Sequence, residues 1–217
     1  MKVVVVASGD LDPRDTMLLD RADLVIAADG GASSLDRLGR RPDLLVGDLD
    51  STDAALVDRV AAAGTRVERH PIDKDASDIE LAFEAALAAG ATEILLLGAV
   101  GGERLDHELA NVLLLADPAL TGHDVRLARG SSSLRVLRGG EQLALAGEPG
   151  DLVTLLPIGG DVSGVTTHGL RWTLEGASLR MGRSRGLSNE VVAAPASVQM
   201  EHGTLLVVEE AQRGVSE

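Results

Sequence analysis

Apolar and polar positions follow two different rhythms along this chain. Over residues 1 to 127, short and nearly continuous apolar runs alternate with longer stretches of helical period. The runs VVVVAS, DLVIAAD, DLLVGD, TRVERH, EILLLGA and DVRLA have the length and aliphatic character of strands. Residues 14–21, 31–38, 53–63, 78–89 and 105–116 carry the helical pattern. It is clearest in DIELAFEAALAAG, an alanine-rich helix former that closes at Gly90. Apolar strands separated by such helices predict a mostly parallel sheet covered on both faces, a Rossmann-like α/β domain over residues 1–128.

Beyond about residue 130 the rhythm shortens. LRVLRG, QLALAG, DLVTLLPI, VTTHGLRWTLEG, ASLRM, VVAAPASVQM and TLLVVEE are brief runs punctuated by Gly, Pro, Asn and Asp, with no helix of ordinary length among them. This texture predicts an all-β domain, an antiparallel sandwich or a barrel-like fold, over residues 133–210. RGSSSL, residues 129–134, is the expected linker or crossover, and a polar tail begins near Ala211.

Composition narrows the picture. Phe83 and Trp172 are the only aromatic residues, so the core must be built from Leu, Val, Ala and Ile. Acids outnumber Lys plus Arg by 34 to 20, a formal net charge of -14. That argues against nucleic-acid binding, which depends on cationic neutralisation of phosphates. It leaves room for a phosphorylated small ligand, because Mg²⁺ can sit between carboxylates and phosphates. Without cysteine there is no disulfide and no thiolate metal site. The opening apolar run, Val3 to Ala7, is too short for a signal-peptide core or a membrane span, so a cytoplasmic protein without a membrane partner is expected.

The chemistry collects where strands of the first half end. Asp29-Gly30-Gly31 follows one, and Asp48-Leu49-Asp50-Ser51 follows the next. Lys74-Asp75-Ala76-Ser77-Asp78 precedes the best helix, and Gly101-Gly102-Glu103-Arg104-Leu105-Asp106-His107 follows ILLLG. Ligands of open α/β sheets bind outside the carboxyl ends of the strands, so these four loops should share one crevice. Asp50 and Ser51 can cap a helix starting at Thr52, and Asp78 can cap its own helix. Those roles leave Asp48 and Asp75 unexplained. Crowded carboxylates repel unless they share a cation or a proton, and an oxygen-only ligand set favours Mg²⁺. Lys74 and Arg104 would then face phosphate oxygens or pair with neighbouring acids.

Neither G-x-x-x-x-G-K-[ST] nor G-x-G-x-x-G occurs, so neither a P-loop nor a dinucleotide site is supported. In the second half, Trp172 is either core or a stacking platform. Ser188 and Asn189, in a polar stretch from Gly182 to Glu190 that is too flexible for a strand, either turn the chain or hydrogen-bond a heterocycle. The five histidines show no zinc spacing.

ADGG (28–31), GDLDS (47–51), KDASD (74–78), GGERLDH (101–107), LANVLLL (109–115), LLPIG (155–159), GVTTHGLRWTL (164–174) and GLSNE (186–190) occur in the order found in thiamine pyrophosphokinases, and the chain resembles that family almost from end to end. The resemblance implies an α/β domain followed by a β-sandwich, and a homodimer with sites in clefts where domains and subunits meet. It also implies ATP as co-substrate, Mg²⁺, and transfer of a pyrophosphoryl group to the hydroxyl of thiamine, releasing AMP. Carried over residue by residue, Asp29, Asp48, Asp50 and Asp78 correspond to the metal- and phosphate-handling acids. Arg104 and Asp106 correspond to the pair in the nucleotide region. Trp172 corresponds to the residue that stacks on thiamine from the neighbouring subunit, and Ser188-Asn189 to the pair near its pyrimidine. Two departures stand out: Ser77 replaces a usual threonine, and Glu103 lengthens the glycine loop by one residue ahead of Arg104.

From the residues alone, the expectation is a Mg²⁺-dependent enzyme acting on phosphorylated small molecules, with Asp48, Asp50 and Asp78 as metal ligands and Lys74 and Asp75 beside them. The resemblance supplies the substrate. The rival expectations are a Mg²⁺-dependent hydrolase of nucleotides or phosphate esters, and a binding protein without turnover.

Overall fold

Val3, Val4, Val5 and Val6 are all fully buried, which requires cover on both faces of the strand that holds them. The computed structural model, which describes residues 1–102 and 104–212, provides it. Strand β1 (Lys2–Val6) lies inside a parallel sheet with β2 (Leu24–Ala28), β3 (Leu44–Gly47), β4 (Arg66–Arg69), β5 (Glu93–Leu97) and β6 (Asp124–Arg129). The strand order is β6-β5-β1-β2-β3-β4. The chain winds outward from β1 through β4, then returns to the other side of β1 at β5. The carboxyl ends of β1 and β5 therefore flank a topological switch point, where such sheets open a crevice.

Helices α1 (Thr16–Leu19), α2 (Gly31–Arg37), α3 (Ala54–Ala62), α4 (Asp78–Ala88) and α5 (Leu105–Leu114) connect these strands. Alternate sheet residues Val4, Val6, Ala27, Leu45, Leu95 and Leu97 pack with Leu35 of α2 and with Leu56, Val57 and Val60 of α3 in one buried cluster. Because side chains alternate across a strand, the intervening residues face the opposite way. Helix α4 lies against β1, β2 and β3 and buries Phe83 between Ala82 and Ala86.

These elements form a compact unit from Met1 to Gly130, and a second unit starts at Ser131. The second unit is antiparallel throughout. Its strands lie side by side in two sets, in the orders β12-β9-β14-β7 and β11-β10-β13-β8. The strands are β7 (Ser132–Arg138), β8 (Gln142–Leu145), β9 (Leu152–Pro157), β10 (Val162–His168), β11 (Ala177–Leu179), β12 (Asn189–Glu190), β13 (Ala196–Gln199) and β14 (Thr204–Glu210). Leu137, Val153, Leu155, Leu205 and Val207 from the first set share a core with Leu145, Val162, Val165, Leu179 and Val198 from the second. A mixed α/β unit and an antiparallel sandwich-like unit are thus the fold.

Two local expectations give way. VTTHGLRWTLEG does not run as one strand: β10 stops at His168, and the chain turns at Gly169 before Trp172. The polar stretch 182–190 does contain a strand, because Asn189 and Glu190 pair with Val153 and Leu152 of β9. Its backbone pairing is decided by the neighbouring strand and not by its own polarity.

Candidate active site

The tight turn after β3 explains why two aspartates stand two positions apart. Leu49, between them, has φ +64°, a conformation that costs a branched side chain energy. Its side chain is buried in the core of the first unit, so Asp48 and Asp50 turn outward on either side of it. Asp29 (φ +42°) and Ser188 (φ +53°) are the other non-glycine residues with positive φ among the described residues. All three lie in loops that the sequence marks for chemistry.

Asp29 and Asp48, in two loops, and Asp78, at the start of α4, each bring one carboxylate oxygen within 4.8 Å of the others. Gly47 makes this approach possible: a Cβ there would lie 3.0 Å from Asp78 Oδ1 and 3.1 Å from Asp29 Cβ. Lys74 Nζ is 3.1 Å from Asp48 Oδ2 and 3.0 Å from Asp78 Oδ1. The contact to Asp78 lacks hydrogen-bond geometry, which leaves that buried oxygen as an ion-paired atom with no hydrogen-bond partner. Burial pushes Asp29 above the usual carboxylate range, against hydrogen bonds from Ser51 and Thr52. The Asp50 N–H and then Lys74 hold Asp48 below that range. Burial pulls Lys74 down, but Asp78 and Asp48 outweigh it and raise the ammonium above its ordinary value.

Helix α4 starts at Asp78, where its periodicity places it, so the capping position falls on Ser77 and not on Asp78. Ser77 caps it, accepting from Glu80 N–H at 3.3 Å while its own N–H donates to Glu80 at 2.6 Å. This reciprocal box relieves Asp78 of any capping duty. Asp50 and Ser51 do not cap α3 either; Asp53 does, accepting from Ala55 N–H at 3.1 Å.

A cleft of about 410 Å³ opens over the cluster, lined by residues that include Asp29, Asp48, Asp50, Lys74, Ser77, Asp78 and Arg104. Asp50 sits at its exposed rim and accepts from the Ser51 hydroxyl at 3.0 Å. Gly30 is buried behind Asp29 as the residue before α2. Asp75 is exposed and outside the lining, and so is Asp106, which grips Arg104 through two hydrogen bonds of 2.9 and 2.7 Å. That pairing lowers the Asp106 carboxyl well below the usual range. Glu103 lies outside the described residues.

A second cleft of about 280 Å³ shares Arg104 and His107 and reaches Ser8 and Gly9 after β1 and Gly98 after β5. Sequence reasoning passed over Ser8 and Gly9. The signal for them is the strand order, since they follow the strand at the switch point. Asn111, buried on α5, was seen only as part of a motif; its Nδ2 donates to Ala99 O at 2.8 Å.

In the second unit, a cleft of about 520 Å³ is lined by Leu155, Trp172, Arg185, Leu187, Ser188 and Asn189 among others. Trp172 is 59% exposed, so it is not a core residue. Its backbone is held on both sides by Asn189, which accepts from Trp172 N–H at 3.1 Å and donates to Trp172 O at 2.8 Å. Asn189 is buried, and its Oδ1 also accepts from Glu190 N–H at 2.9 Å. Ser188 N–H donates to Thr154 Oγ1 at 2.9 Å.

Comparison with known proteins gives the family. The model of the thiamin pyrophosphokinase catalytic domain matches residues 16–127, and that of the thiamin pyrophosphokinase vitamin B1 binding domain matches residues 142–205. The chain belongs to the thiamin pyrophosphokinase family. Among its relatives, thiamine pyrophosphokinase of Bacillus subtilis (strain 168) is 26% identical, over 96% of this chain and 98% of the relative. Thiamine pyrophosphokinase 1 of Arabidopsis thaliana is 28% identical over 94% and 85%. Among solved structures, the family's enzyme from Geobacillus thermodenitrificans superposes with a TM-score of 0.81 at 26% identity, covering 100% of both chains. The Candida albicans enzyme gives 0.80 at 16% identity over 96% of this chain and 88% of that one, a shared fold. In family terms, the acid cluster lies within the catalytic-domain match and Trp172 within the vitamin B1 binding match.

Proposed function

We propose that this chain is a thiamine diphosphokinase, which transfers the pyrophosphoryl group of ATP to the hydroxyl of thiamine and releases AMP. The carrying observation is the convergence of Asp29, Asp48 and Asp78 in a chain that matches both domains of the family. We read residues 1–128 as a Rossmann-like nucleotide and metal domain and residues 133–210 as the thiamine domain, in a cytoplasmic homodimer.

The oxygen-only donor set, the side-chain-free cradle at Gly47 and the Asp78 oxygen without a hydrogen bond fit a hard divalent cation. Asp29, Asp48 and Asp78 would hold Mg²⁺, with Asp50 at the rim. When bound, it neutralises charge on the triphosphate. Lys74 and Arg104 add positive charge for the phosphate oxygens. The thiamine hydroxyl oxygen bonds to the β-phosphorus while the bond from that phosphorus to the α–β bridging oxygen breaks, and AMP leaves with that oxygen. A carboxylate takes the hydroxyl proton, and Asp78 is our assignment. Trp172 supplies the stacking face for the thiamine ring system, and Asn189 holds it in place.

The test is product analysis with ATP, Mg²⁺ and thiamine. One AMP per thiamine diphosphate, formed only when thiamine is present, is expected. Thiamine-independent release of phosphate would make the chain a hydrolase, and binding without product would make it a non-catalytic binder.

A further inference from the structure

The glycine loop after β5 is fastened by a residue that falls between two family motifs. Gly101 N–H and Gly102 N–H both donate to Glu108 Oε1, at 2.8 and 2.7 Å. Successive backbone N–H groups aimed at one acceptor form an anion-binding nest, the device by which many proteins hold phosphate. Here the anion is the chain's own carboxylate. One turn along α5, Asn111 donates to Ala99 O at 2.8 Å. Residues three apart lie on one helix face, so α5 grips the loop at two points with neighbouring side chains. Gly101, with φ +89°, is pressed against the Arg129 guanidinium, where a Cβ would come within 2.4 Å of Cζ. The loop then leads to Arg104, the residue immediately before α5, which lines both clefts of the first unit.

We propose that Glu108 is a positioning residue for the nucleotide end of the site. Its carboxylate occupies the Gly101–Gly102 nest and sets the loop conformation that delivers Arg104. Phosphate is thereby kept off these N–H groups and must be met by Arg104 and Lys74. The proposal rests on the nucleotide role assigned to Arg104 above. It depends on reach and acceptor geometry, which separates it from a general charge effect. Glutamine keeps both the length and an acceptor oxygen. Aspartate keeps the charge but is one methylene too short to serve both N–H groups.

The experiment compares Glu108→Gln, Glu108→Asp and Glu108→Ala by steady-state kinetics, by calorimetric binding of Mg·ATP without thiamine, and by melting. For Ala and Asp we expect KM for ATP and the Mg·ATP dissociation constant to rise about tenfold. We expect kcat and KM for thiamine to stay within about threefold, the pattern of lost ground-state and transition-state binding alike. Gln should remain within about threefold of the parent throughout. Unchanged ATP affinity in Asp, or equal losses for ATP and thiamine, overturns the proposal, whatever the melting temperature. If Ala does not fold, the Gln–Asp contrast decides. If the parent binds ATP in a Glu108-dependent way but makes no thiamine diphosphate, the functional reading fails and the positioning role stands.

Discussion

Trp172 concentrates the second unit's chemistry in a single side chain. In a chain with one other aromatic residue, an indole left 59% exposed forgoes burial that its size would reward. Arg171 lies over the ring with its guanidinium carbon 6.0 Å from the centroid while pairing with Glu190 at 2.8 Å. Trp172→Ala should therefore weaken thiamine binding about tenfold, since stacking on an aromatic face is worth roughly 1–3 kcal/mol. ATP affinity and melting should barely move, and Trp172→Phe should recover most of the loss. With no tyrosine and one tryptophan, intrinsic fluorescence reports the site directly. An emission that thiamine leaves untouched, together with a loss of about 3–5 kcal/mol of stability in the Ala variant, is the signature of a buried core residue and would refute stacking.

The ends of β2 and β3 and the start of α4 work as one group, because Asp29, Asp48 and Asp78 come together there. Within the turn after β3 the two aspartates are not equivalent. Asp48 shares the oxygen cluster and Lys74, whereas Asp50 is exposed and bonded to Ser51. Asp48→Asn should lower kcat on the order of a hundredfold, the scale for losing one preorganised electrostatic group, and should shift the Mg²⁺ dependence to higher concentration. Asp50→Asn should cost less than Asp48→Asn and shift it less. A Mg²⁺ titration of turnover in both variants checks this. A near-parental rate for Asp48→Asn at ordinary Mg²⁺ would remove the metal role. Helix α4 illustrates the same division of labour: Ser77 does the capping, so its neighbour Asp78 is available to the cluster.

At the scale of the whole molecule, the proposed reaction draws on a cleft of the second unit and the acid cluster of the first, and the homodimer is part of that proposal. A formal charge of -14 repels like copies over distances that salt shortens, with a Debye length of about 8 Å at physiological ionic strength. Sedimentation at that ionic strength should give twice the 22.5 kDa of one chain at working concentration. Mixing Asp48→Asn with Trp172→Ala should restore activity if the stacking face is supplied across subunits, because one site of each mixed dimer then joins an intact acid cluster to an intact indole. A fully active monomer would dispose of the dimer. Among the described residues no helix is long and apolar enough to cross a membrane.

Much of this was legible along the chain. The six apolar runs of the first half, the five helices and the change of rhythm near residue 130 are encoded by local periodicity, which depends only on which residues alternate. The four acid- and glycine-bearing loops were legible too, because strand ends in a parallel sheet must face one edge. What the sequence left open was which atoms meet. Asp50, Ser51 and Asp78 look suited to capping until Asp53 and the Ser77–Glu80 box are seen to do it. That Asn189 bonds both sides of the Trp172 backbone is likewise invisible until the two are folded together. Glu108 carries no motif at all, and its role exists only because α5 brings it over two glycine N–H groups. Periodicity specifies which face a residue occupies, but a hydrogen bond needs its partner within about 3 Å, and only the packed tertiary structure brings residues from separate loops that close.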